Sequence, residues 1–280
     1  MLQRPLGKTG HSDAVVAFGG IVVSGETQER ANQIVAKAIA VGVNHFDVAP
    51  TYGDAEVKLG EALRPYRQQV FLACKTAKRT YREAAEELRR SLERLQTDYF
   101  DLYQFHGLDS PEDMETVFGP DGALKAFVEA REKGLIRHIG MTTHRPENLL
   151  EALRRFPIET AMFPINFAIF MRTDYGKGVI DALVEQGVGV IAIKPIAARR
   201  WQEGEERRWP KCWYKPLDDA HQIDLAVRWA LGLPITTLVP SGHAELFEMA
   251  VKSALAYRPL SVEETQELEQ LAQTLTPVFP

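Results

Sequence analysis

The chain has 280 residues, 33 of them lysine or arginine and 38 aspartate or glutamate, for a formal net charge of −5. That balance argues against general affinity for nucleic acid or anionic membranes, and no apolar run approaches membrane-spanning length. Two cysteines, Cys74 and Cys212, supply neither a disulfide framework nor a metal-ligand spacing. With no basic segment leading into an apolar run after Met1, a soluble cytoplasmic protein is the expectation.

Gln3 to Leu6 and Ala14 to Ala17, around Gly7-Lys8-Thr9-Gly10, predict a β-hairpin that leads into Phe18-Gly19-Gly20. Thr27 to Val41 sets Ala31, Ile34, Val35, Ala38 and Ile39 at helical spacing, with Thr27 as N-cap and Gly42 just past the end. A short strand, Val43 to Phe46, then stops at Asp47 and opens into a turn-rich loop carrying Tyr52. Helix and strand alternate from there. Further strands are predicted over Val70 to Cys74 (ending at Lys75), Tyr99 to Phe105 (ending at His106), Leu135 to Gly140 (ending at Thr142), Thr160 to Phe163, Val188 to Ile193 (ending at Lys194) and Ile235 to Val239. Helices are predicted over Glu56 to Leu63, Tyr81 to Leu95, Ala123 to Lys133, Pro146 to Arg155, Gly178 to Gln186, Asp218 to Trp229, Ala244 to Leu255 and Ser261 to Leu275. The second of these is amphipathic, with Ala85, Leu88, Leu92 and Leu95 on one face.

Counting the strand near Val16, eight strands each precede a helical pattern, and all-apolar runs such as Val190-Ile191-Ala192-Ile193 suit parallel strands covered on both faces. Eight such units predict a (β/α)8 TIM barrel with an N-terminal β-hairpin, spanning residues 1–280 as one domain. The competing doubly wound sheet lacks its Gly-x-Gly-x-x-Gly after the first strand.

In a barrel, polar residues at the C-terminal ends of strands converge on one pocket. Asp47, Tyr52, Lys75 and His106 make a coherent set there. A phenol near pKa 10 is a weak proton donor at neutral pH; an ammonium beside it lowers that value, and a buried carboxylate holds the ammonium in place. A histidine hydrogen-bonds the substrate oxygen or tunes the phenol. The set would protonate a carbonyl oxygen while another group delivers hydride.

The chain resembles the aldo-keto reductase superfamily over nearly its whole length. The resemblance is carried by Phe18-Gly19-Gly20, Asn44-His45-Phe46-Asp47 with Ala49-Pro50-Thr51-Tyr52-Gly53, Phe71-Leu72-Ala73-Cys74-Lys75, Asp98 through His106, Gly134 through Thr142, and Val239-Pro240-Ser241-Gly242. It implies that Tyr52 is the general acid, Lys75 its pKa-lowering partner, Asp47 the residue that fixes Lys75, and His106 the one that orients a small-molecule carbonyl. It also implies NADPH or NADH as hydride donor, lying extended across the barrel mouth.

By the same resemblance, cofactor contacts are expected from Gly20, Asp47, Thr142, Thr143, Asn166, Lys194, Ile196, Pro240, Ser241 and Gly242. Thr142 and Thr143 replace a frequent Ser-Asn pair. Asn166 stands in for a glutamine that often faces the carboxamide. Lys194-Pro195-Ile196 replaces a Ser-Pro-Leu that wraps the pyrophosphate, adding a positive charge. Leu246 occupies the place of an arginine that often meets the 2′-phosphate, which weakens the preference for NADPH over NADH.

Three other readings accompany this one. The Asp47 and Lys75 pair would serve as a brace alone, or the chain would be a non-catalytic nucleotide-binding sensor. A metal-dependent hydrolase would use His45 and Asp47, with His138 and His144 poorly placed to join them. The charged, tryptophan-rich stretch from Ala198 to Pro216, with Trp201, Trp209, Trp213 and Tyr214, is either a substrate lid or a surface loop. Oligomeric state is not readable from the chain.

Overall fold

A computed structural model describes residues 1–279. Its strands, in chain order, are β1 (Gln3–Pro5), β2 (Ser12–Ala14), β3 (Phe18–Gly19), β4 (His45–Asp47), β5 (Phe71–Thr76), β6 (Phe100–Phe105), β7 (Ile136–Thr142), β8 (Thr160–Pro164), β9 (Gly189–Ile193), β10 (Ala197–Arg200), β11 (Tyr214–Pro216) and β12 (Thr237–Val239). The α-helices are α1 (Gln28–Ala40), α2 (Ala55–Leu63), α3 (Tyr81–Arg94), α4 (Pro111–Phe118), α5 (Ala123–Glu132), α6 (Glu147–Arg155), α7 (Phe167–Arg172), α8 (Val179–Glu185), α9 (Ala220–Leu231), α10 (Ala244–Leu255) and α11 (Val262–Thr274).

Strands β3 to β9 pair in sequence order, and β12 follows β9, as one parallel sheet. The ends of that sheet meet. Ala17 N–H donates to Leu238 O at 2.9 Å, and Leu238 N–H donates to Val15 O at 3.0 Å. The sheet is therefore a closed eight-stranded barrel with helices outside, as expected for (β/α)8. Strands such as β5 and β6 are buried along their whole length, which explains their unbroken apolar reading.

The hairpin of β1 and β2 plugs the N-terminal end. Leu6 is fully buried and packs with Ala17, Phe71, Ala73, Leu102, Met162, Ile191 and Val239 inside the barrel. Gly7 has φ +53°, and a Cβ there would fall 2.3 Å from Gly189 N, so only glycine lets the turn sit this close. With this end filled, the pocket opens at the other.

The hairpin's second strand stops at Ala14, because Val15 to Ala17 turn away to close the barrel against Leu238. Helix α3 packs through the expected face, with Leu88 and Leu95 buried and Ala85 and Leu92 against the core, and it also buries Ala84 and Ser91. Two helices escaped the sequence reading. Helix α4 starts from Ser110, whose hydroxyl accepts from Asp113 N, with Pro111 in the first turn; α7 is capped by Asn166. The stretch from Ala198 to Pro216 contains a small antiparallel pair, β10 with β11. Among the described residues, no helix is long and apolar enough to cross a membrane.

Candidate active site

Strand register brings the expected residues together. Asp47 pairs with Ala73 across β4 and β5, and Lys75 pairs with Gln104 across β5 and β6. Lys75 lies two residues beyond Ala73, so both side chains point to the barrel interior. The Lys75 ammonium reaches back to Asp47 Oδ2, and it donates to Val48 O at 3.3 Å. Both side chains are almost fully buried. The other carboxylate oxygen of Asp47 accepts from Gln104 Nε2 at 2.9 Å.

Tyr52 arrives from the turn after β4, where its N–H donates to Ala49 O at 3.1 Å. Its ring centroid lies 5.4 Å from Lys75 Nζ. His106, just past β6, stands edge-on to that ring, with centroids 5.8 Å apart and planes at 89°. Burial pushes the Tyr52 phenol above its ordinary value; Lys75 pulls it down and Asp47 pushes it up. The expected lowering by Lys75 is thus present but outweighed by burial. Burial works against the Lys75 charge, yet Asp47 holds the amine above the ordinary lysine value. His106 is lowered to about 3 by burial first, then by Lys75 and Lys194. At neutral pH the site therefore holds a protonated phenol, a neutral imidazole and a paired ammonium.

A cavity of about 210 Å³ covers this floor, and Asp47, Tyr52, Lys75, His106, Thr142, Thr143, Lys194, Pro240, Ser241 and Gly242 all line it. Thr142 Oγ1 accepts from Gly107 N at 2.8 Å and keeps its own proton free. Thr143 Oγ1 is committed to Asp109 Oδ1 at 2.8 Å and Leu108 O at 3.1 Å. Ser241 Oγ is buried without a partner. Three expected contacts are not among the residues lining this cavity. Asn166 caps α7, where its Oδ1 accepts from Ile169 N at 3.1 Å, while its Nδ2 is buried without a partner. A Cβ on Gly20 would meet the Val48 side chain at 2.8 Å, so Gly20 serves packing. Ile196 is fully buried in the core.

His45 is not a neighbour of this cavity. Its Nδ1 lies 2.7 Å from Asp13 Oδ2 in a buried pair beside the hairpin. His138 pairs with Glu159 at 2.6 Å. Leu246 is fully buried.

The sequence reading passed over Gln104, although alternation from His106 places it on the inward face two residues earlier. It also gave no role to the line Asp109, His144, Lys194. His144 Nδ1 is 2.9 Å from Asp109 Oδ2, and His144 Nε2 is 3.1 Å from Lys194 Nζ. No sequence signal joins these, because loops after β6, β7 and β9 supply one each.

The stretch from Trp201 to Pro216 folds over the mouth. Lys211 Nζ donates to Val22 O and Glu26 Oε1, both at 2.8 Å, and Lys211 N–H donates to His243 Nε2 at 3.1 Å. Trp213 and Tyr214 line the cavity, while Trp201 donates to Cys212 O at 2.8 Å and Trp209 packs against His243. One part thus borders the cavity and another packs beside it.

A family model described as the Aldo/keto reductase family matches residues 16–273. The aldo-keto reductase YhdN of Bacillus subtilis is 32% identical over 92% of this chain and 88% of its own length. The uncharacterized oxidoreductase YqkF of the same organism is 28% identical over 79% of this chain and 70% of its own. The solved holo form of aldo-keto reductase AKR11C1 from Bacillus halodurans superposes with a TM-score of 0.75 at 26% identity, covering 100% of this chain and 98% of that one.

Proposed function

The chain belongs to the aldo/keto reductase family of oxidoreductases, and from that premise we propose that it reduces aldehyde or ketone carbonyls to alcohols with NADPH or NADH. The observation that carries this reading is the buried Lys75 and Asp47 pair beneath Tyr52, with His106 edge-on to the phenol. A brace needs no phenol at the mouth; a proton donor does.

Tyr52 gives its proton to the carbonyl oxygen as the carbon accepts hydride. The Lys75 ammonium then faces the phenolate and lowers its energy, which is where its opposition to burial matters. Asp47, gripped by Gln104, keeps that ammonium charged and in register. His106 is neutral, so it hydrogen-bonds the oxygen without adding a competing positive charge. The nicotinamide, when bound, supplies the hydride.

The donor set suits a dinucleotide. Thr142 has a free hydroxyl proton, Ser241 Oγ has no partner, and a Cβ on Gly242 would come within 3.0 Å of Ile21. We assign Thr142, Pro240, Ser241 and Gly242 to cofactor contact, with Thr143 shaping the loop. The cavity of about 210 Å³ is smaller than the roughly 300–1,000 Å³ of typical ligand sites. Lys211 to Tyr214 border that cavity, and lifting this stretch would widen it. With a buried leucine, Leu246, at the position that the resemblance gives to a 2′-phosphate partner, NADH is expected to bind within about tenfold of NADPH.

The test is to mix protein, either nucleotide and a panel of aldehydes, and follow the nicotinamide absorbance. Aldehyde-dependent oxidation is expected. Tight nucleotide binding with no turnover of any aldehyde would favour the sensor instead.

A further inference from the structure

We propose that Lys194, with His144 and Asp109 behind it, forms a binding site inside the catalytic pocket for an anionic group, a phosphate or carboxylate. The group reaches it on the carbonyl substrate, and in that respect the proposal rests on the reductase reading.

Lys194 directly follows β9 and has φ +59°, an uncommon conformation for a lysine. Its side chain lines the cavity and is only 9% exposed. Its hydrogen-bond partner is a ring nitrogen and not a carboxylate, His144 Nε2 at 3.1 Å. Asp109 fixes that arrangement: its Oδ2 lies 2.9 Å from Nδ1 and orients the ring so that Nε2 faces the amine. Asp109 itself is committed, accepting also from His144 N at 2.6 Å and Thr143 Oγ1 at 2.8 Å. The rings of Trp213 and Phe279 lie 5.6 and 5.8 Å from Nζ and close the other sides.

The remaining groups around the cavity offer Lys194 no counter-charge. Asp47 is matched to Lys75, and Lys211 is matched to Glu26. Tyr52, Tyr214 and Cys212 are all raised by burial and carry no charge at neutral pH. His106 is neutral. Among the described residues, Lys194 makes no salt bridge within 4.0 Å. A buried ammonium without a counter-charge is costly, and removing that cost is what an incoming anion does. Burial accordingly lowers the Lys194 amine to about 7, with Asp109 opposing and Lys75 assisting. An anion raises it again, so binding draws in a proton.

Calorimetry of the full chain with inorganic sulfate, whose charge is constant near neutrality, tests this directly. Wild type is expected to bind sulfate with proton uptake, and affinity is expected to fall about tenfold per pH unit above about 7. Lys194→Met should abolish binding; Lys194→Arg should keep it without the pH dependence. Equal sulfate affinity in wild type and Lys194→Met, or none in wild type, would overturn the proposal. Two further arms identify the source. A preference for glyceraldehyde 3-phosphate over glyceraldehyde that collapses in Lys194→Met assigns the anion to the substrate. A tenfold loss of NADPH affinity in that variant, with the aldehyde preference unchanged, would return Lys194 to cofactor contact and overturn the substrate site. Absence of turnover with both aldehydes would sink the reductase reading, while the sulfate result would still stand or fall alone.

Discussion

On the β4 to β6 side of the mouth, Lys75 meets Asp47, Gln104 takes the carboxylate's other oxygen, and every charge is answered within two neighbouring strands. On the β9 side, Lys194 meets a histidine and two aromatic rings, and no carboxylate closes on it. The same residue type is buried at both places. One lysine is held charged and the other is pushed toward neutrality, so the first serves the chemistry and the second waits for a partner from outside.

The largest effect should follow from breaking the answered side. Lys75→Met strands the Asp47 charge, and breaking a buried pair costs about 3–5 kcal/mol. A urea titration should show that loss, together with a drop in aldehyde turnover of about a hundredfold or more. Unchanged stability would mean that the pair is not what braces β4 against β5. A smaller loss is expected from Gln104→Leu, about tenfold in kcat, equivalent to about 1.4 kcal/mol. Asp47 would keep Lys75 but lose the bond that fixes its orientation. Full activity in that variant would remove Gln104 from the site.

The unanswered side should respond with the opposite sign. The unfolded chain holds the Lys194 proton up to about 10.5, while the folded chain releases it at about 7, so wild-type stability gains with rising pH across that window. Lys194→Met should lose that gain and be more stable than wild type at pH 7, by more than about 1 kcal/mol. Equal or lower stability at pH 7 would show that Lys194 already has its counter-charge. The smallest effect belongs to the lid. Lys211→Ala frees the ties to Glu26 and Val22, and stopped-flow mixing should show nucleotide entering and leaving several-fold faster, as expected for a partly buried ion pair of about 1 kcal/mol. Identical rates would place the closing contact elsewhere.

This difference also decided what the sequence disclosed. Asp47, Lys75 and His106 stand at the ends of apolar strands, and strand periodicity with barrel topology is enough to bring them together. Tyr52 follows within one short turn. Lys194 was visible as a residue at a strand end, but its partners were not, because Asp109 and His144 come from two other loops whose paths no local pattern fixes. Asn166 is a mixed case: it caps α7, whose Ile169 N–H takes its side-chain oxygen, and its amide nitrogen is left without a partner. The helix α4 is legible in Ser110-Pro111-Glu112-Asp113, a capping residue before proline and acids.

The claim on which the rest depends is that Tyr52 supplies the proton. The most direct measurement compares wild type with Tyr52→Phe, each loaded with nucleotide and given an aldehyde that wild type reduces, with nucleotide affinity measured alongside. Turnover should fall by about 10²–10⁴-fold while nucleotide affinity stays the same, because the phenol touches the reacting oxygen and the ring remains. Turnover within a few-fold of wild type in Tyr52→Phe would contradict it.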